Sequence, residues 1–80
     1  LQTNMTHTAP KLLRHRLMSY LSEQAKINNS RKFRIPFTQK QLADYLNSEH
    51  AATSHELSKM KRDGLIDYHK FDFEIFFGDR

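Results

Sequence analysis

The sequence predicts an α+β fold, a three-helix core with a small antiparallel β-sheet. Two observations carry that prediction. Apolar residues recur at helical spacing in three segments and alternate at strand spacing in three others. Residues that cap helices or tolerate a left-handed backbone fall in the joints: Asn28, Asn29, Ser30, Asn47, Ser48 and Gly64. At 80 residues the chain is one small domain with a thin core. The element order reads helix, strand, helix, tight turn, helix, strand, strand.

The first helix is expected over residues 10–27, starting near Thr8 or Pro10, because proline is tolerated in a first helical turn. Leu13, Leu17, Tyr20, Leu21 and Ala25 then share one face. Phe33, Ile35 and Phe37 alternate with Arg34 and Pro36, which predicts a strand with one apolar face. Pro36 has no N–H to give a ladder, so this strand belongs at a sheet edge. Thr38 opens the second helix through a capping box, with Gln41 reaching back three residues on. Leu42, Tyr45 and Leu46 are expected on its buried face, with Ala43 small beside them. Asn47 stops that helix, and Ser48 is expected to cap the next, over about 48–62. Thr53, Leu57 and Met60 face inward there, and Gly64 ends it. Leu65, Ile66 and Tyr68, then Phe71, Phe73, Ile75 and Phe77, predict a hairpin turning between His69 and Asp72.

Between the second and third helices, Ala43 allows close approach and Asn47, four positions later, turns the chain sharply. That is the physical content of a helix-turn-helix, and the hairpin behind it is a wing.

Composition excludes several classes. Without cysteine there is no disulfide framework and no thiolate zinc site, which suits a reducing compartment. No apolar run is long enough to span a membrane, and residues 1–10 lack the basic and apolar regions of a secretion signal. A cytoplasmic location is expected. So short a chain cannot easily enclose a deep catalytic cleft. Ser54, His55 and Asp63 come without a nucleophile elbow. His55–Glu56 lacks the second histidine of a zinc-hydrolase motif, because Lys59 stands in its place. No enzymatic activity, metal or cofactor is expected.

The net charge of +4 and a pI near 9.6 lean toward an anionic partner. The charge is uneven: +6 over residues 11–34, +1 over 35–62 and −3 over 63–80. A basic run of this kind is most often a solvated face, and here it could also add non-specific attraction to phosphates. Phe71, Phe73, Phe76 and Phe77 read as core and hairpin packing. An exposed Phe71 or Phe76 would mark a contact with another domain or subunit.

The stretch FTQKQLADYLNSEHAATSHELSKMKRDGLIDYH, with LLRHRLMSYLSEQA upstream, resembles the DNA-binding domain of the Crp/Fnr family of bacterial transcription regulators. The resemblance covers about residues 12–77 and rests on an ordered series: Thr38, the ADYLN turn, the ELSKMK helix, then GLI entering the wing. It implies a winged helix-turn-helix over residues 10–80, with 1–9 a linker or remnant of a dimerisation helix. It also implies a homodimer on double-stranded DNA, formed through a region outside this chain, and an N-terminal sensor domain that is missing here. The helix over 48–62 would enter the major groove.

Carried over by position, the resemblance implies DNA contacts from Thr38, Gln39, Lys40, Glu49, His50, Ala51, Ser54, His55, Ser58, His69 and Lys70. Thr38 and the amides after it suit a phosphate. The family's base-reading arginines and glutamate correspond to His50, Ala51 and His55, and Thr53 replaces a larger apolar residue. Arginine bonds guanine bidentately with a permanent charge, whereas histidine offers fewer donors and charges only on acidification. Specificity should therefore depart from the family's common TGTGA-type half-site. The same substitutions keep open a second reading, a winged helix that docks protein with weak or no DNA binding. Solvated surface histidines are the plain alternative for His50 and His55.

Overall fold

The computed structural model describes residues 10–78. The elements are α1 (Pro10–Asn28), β1 (Lys32–Arg34), α2 (Gln39–Tyr45), α3 (His50–Arg62), β2 (Ile66–His69) and β3 (Asp72–Ile75). The strands form one antiparallel sheet in the order β1-β3-β2. This is the expected winged helix-turn-helix, with β2 and β3 as the wing. The segment 1–9, expected as a linker or helix remnant, lies outside the described residues.

All three helices stop in the same way. Asn29, Asn47 and Gly64 each take a positive φ, of 51°, 59° and 80°. The residue after each reaches back five positions: Ser30 N–H to Ala25 O at 3.0 Å, Ser48 N–H to Ala43 O at 2.9 Å, and Leu65 N–H to Met60 O at 3.0 Å. These Schellman-type closures satisfy carbonyls that a helix end leaves without partners. Asparagine and glycine occupy the left-handed position at least cost. The joints that punctuate the sequence are therefore the joints of the fold.

One core forms from Leu13, Leu17, Tyr20 and Leu21 of α1, Leu42 and Leu46 at the corner, Leu57 and Met60 of α3, and Phe33, Ile66, Phe73 and Ile75 of the sheet. Burial raises the Tyr20 phenol above its ordinary pKa, with Tyr45 adding to the effect.

Tyr45 departs from expectation: it is 61% exposed. On so short a helix the buried arc is set by Leu42, Ala43 and Leu46, which places Tyr45 about 100° off its centre. Its ring instead packs at the surface against Tyr20 and Phe37, with centroids 5.4 and 5.2 Å away. The first strand is also shorter than the apolar alternation suggests. Arg34 pairs with Asp72, the first residue of β3, so the ladder has no further partner. The Ile35 N–H still donates to Phe71 O in the hairpin turn at 3.0 Å, and Pro36 falls outside the strand at this sheet edge.

The wing turns through a two-residue loop, Lys70–Phe71, between the paired His69 and Asp72. Lys70 takes φ 58°, a left-handed conformation disfavoured for a side chain without a compensating local hydrogen bond. Lys70→Asn is expected to stabilise the domain by about 0.5–1 kcal/mol, raising Tm by a few degrees in thermal denaturation. An unchanged or lower Tm would show that the lysine holds this turn by other means.

Candidate nucleic-acid interface

Helix α3 divides into two faces. Thr53, Glu56, Leu57 and Met60 are buried. His50, Ala51, Ser54, His55 and Ser58 follow at i, i+1, i+4, i+5 and i+8, so they share the outward stripe. His50, Ala51, His55 and Ser58 are exposed and Ser54 is half-buried. The helix starts two residues later than expected, and its N-cap is Glu49, which makes no side-chain cap. Ser48 does not cap because its hydroxyl turns inward, lying 2.8 Å from Thr53 Oγ1 and 3.5 Å from Ala43 O. The buried Thr53 hydroxyl thereby gains a partner, as a polar group in a core requires.

The start of α2 is fixed by the expected capping box. The Gln41 N–H donates to Thr38 Oγ1 at 3.1 Å, and the Thr38 N–H donates to Gln41 Oε1 at 2.9 Å. Thr38 and Lys40 are exposed. Gln39 is tied across the corner, where Ser54 Oγ donates to Gln39 Oε1 at 2.6 Å. Of the residues singled out in the sequence, the structure thus joins Gln39 to Ser54 directly and aligns the α3 stripe beside them. His69 and Lys70 are exposed at the tip of the wing, a separate element. Among the described residues, no hydrogen bond or ion pair links them to α3.

The basic excess of residues 11–34 is partly consumed by the fold. Arg14 bonds Glu56 through Nε and Asp63 through a terminal nitrogen at 3.2 Å. The hydrogen bond to Glu56 raises the Arg14 pKa above its already high ordinary value, against partial desolvation, and Asp63 reinforces it. Arg16 donates to Leu46 O at 2.8 Å, closing the end of α2, where a helix carries partial negative charge. Arg34 lies 3.8 Å from Asp72 and over the Phe71 ring. Phe71 is accordingly half-buried, while Phe76 stays exposed.

Sequence reasoning missed the Arg14–Glu56 pair. Its signal was present, because the spacing that turns Thr53, Leu57 and Met60 inward also places Glu56 on that stripe. A carboxylate there demands a cation. The Gln39–Ser54 bond left no such signal, since both residues are ordinary on exposed helix faces.

The family model of the Crp-like helix-turn-helix domain matches residues 15–76, well over half of the chain. No curated protein and no solved structure gives a significant match. The matched span runs from within α1 through the helix-turn-helix corner and both wing strands. No helix among the described residues is long and apolar enough to cross a membrane. Fold, helix order and family model agree: this chain belongs to the Crp-like helix-turn-helix domain family.

Proposed function

We propose that this chain binds double-stranded DNA sequence-specifically as the DNA-binding domain of a Crp/Fnr-type transcription regulator, with α3 as the recognition helix. The observation that carries the reading is the outward stripe of His50, Ala51, Ser54, His55 and Ser58, set on a helix whose other face is locked into the core. Such a helix can enter a major groove without disturbing the fold. Thr38, Gln39 and Lys40 at the start of α2 would hold backbone phosphates, as would His69 and Lys70 on the wing. Phosphate contacts set register, while His50, Ala51 and His55 would meet base edges. The activity is binding without chemistry and needs no metal or cofactor. Two copies would read a pseudo-palindromic site, each recognition helix in one half-site, in the cytoplasm.

A second reading has its own support. The exposed ring of Tyr45 and the half-buried Phe37 form an apolar surface patch, and the α3 stripe from His50 to Ser58 lacks arginine and lysine. These suit a winged helix that docks protein.

A titration with mixed-sequence duplex at low salt separates the two. DNA binding predicts measurable affinity, with His50→Ala, His55→Ala and Lys70→Ala each weakening it by about three- to ten-fold, in line with one lost polar contact. No binding at low salt would favour protein docking. A dimerised form of the chain used to select sites from random duplexes would then supply the target sequence.

A further inference from the structure

We infer that Ser54 is a positioning residue that acts on DNA through Gln39, not a contact in its own right. This rests on the DNA-binding reading and deepens it. The Ser54 hydroxyl proton is committed to Gln39 Oε1 at 2.6 Å, although the two residues lie on different helices of the corner. A carboxamide has one accepting and one donating end. With its oxygen held by α3, Gln39 keeps its Nε2 donors, which have no protein acceptor among the described residues. The free end of the side chain is therefore a pair of N–H groups fixed beside the first turn of α2. Thr38 is similarly polarised: its Oγ1 accepts from the Gln41 N–H, leaving its hydroxyl proton to be donated elsewhere. Donors without acceptors thus gather at one place, which is the chemistry that recognises a phosphate oxygen.

Without Ser54 the Gln39 amide could rotate and present either end. Orientation is what the hydroxyl supplies, and it couples phosphate binding at α2 to the placement of α3. A base-reading helix and a phosphate clamp would then hold the same register.

The test is a double-mutant cycle on affinity for mixed-sequence duplex at low salt, using the whole 80-residue chain. Gln39→Ala and Ser54→Ala are each expected to weaken binding by about three- to ten-fold, and the double variant by no more than Gln39→Ala alone. Ser54→Thr, which keeps the hydroxyl, should restore binding to near the original value. Gln39→Glu still accepts from Ser54 but turns an anionic oxygen outward, so it should bind more weakly than Gln39→Ala. Thermal denaturation should show all five variants folded, separating positioning from damage to the corner. Additive losses in the cycle, or a Gln39→Glu variant that binds as well as the parent, would overturn the inference while leaving DNA binding intact. Failure of the parent chain to bind any duplex would overturn both.

Discussion

Arg14→Ala is expected to destabilise the domain by about 2–3 kcal/mol and to lower Tm by roughly 10–20 °C. The Glu56 side chain is 4% exposed, so its charge has left water almost completely. Arg14 compensates it from α1 through a charge-assisted hydrogen bond. With the guanidinium gone, Lys59 remains 3.8 Å from the other carboxylate oxygen, a weaker and partly solvated partner. Removing one member of a fully buried pair costs about 3–5 kcal/mol. The lower figure here reflects Lys59 and the partial exposure of Arg14. The pair itself is a different matter, because two desolvated charges often do no better than apolar groups of the same shape. Arg14→Met with Glu56→Leu should therefore lie within about 1 kcal/mol of the parent. Chemical denaturation of the two variants checks both statements. A loss below about 0.5 kcal/mol in Arg14→Ala would mean that the Glu56 carboxylate finds water or Lys59 without help.

The clamp matters for more than stability. It joins the middle of α3 to α1, while Ser48–Thr53 and Ser54–Gln39 join the first half of α3 to the corner. A recognition helix must keep its outward stripe at a fixed angle to a groove. Hydrophobic packing by Leu57 and Met60 holds the helix down, but apolar contacts are non-directional. The three polar ties each specify a rotation of the helix about its axis. Thr53 shows the logic most directly. A larger apolar residue at that position would fill the core, whereas threonine fills it and also binds Ser48.

Much of this was legible from residue spacing and joint chemistry. Asn47 and Gly64 ended their helices where a left-handed residue was needed, and Thr38 with Gln41 formed the capping box that the four-residue pattern implies. What the sequence did not disclose was long-range pairing. Arg14 and Glu56 are 42 positions apart, and nothing local says which cation will answer a buried carboxylate. Ser48 illustrates the converse failure. Its local preference is to cap a helix, but Glu49 takes the N-cap position and the Ser48 hydroxyl bonds Thr53, five residues on in α3. Tyr45 was misplaced because a seven-residue helix has too few turns for periodicity to fix the centre of its buried arc. The bulk charge was rightly given little weight: Arg14 and Arg16 serve the fold, so a basic amino-terminal half is no measure of the binding surface.

The electrostatics of the interface should be readable from a salt titration of DNA binding. Among the proposed contacts, only Lys40 and Lys70 carry a permanent positive charge. Each neutralised phosphate contributes about 0.9 to the slope of log affinity against log salt. The slope should therefore be about −2, a loss of roughly ten-fold between ~50 and ~200 mM salt. Lys40→Ala and Lys70→Ala should each lower its magnitude by about 0.9, and the double variant should bring it close to zero. Affinity at low salt should fall in step. Replacing His50 and His55 by glutamine should weaken binding without changing the slope, because those side chains face base edges and not phosphates, with circular dichroism confirming the fold. An unchanged slope in the double lysine variant would remove Lys40 and Lys70 from the phosphate contacts. The domain would then hold DNA by shape and neutral hydrogen bonds alone.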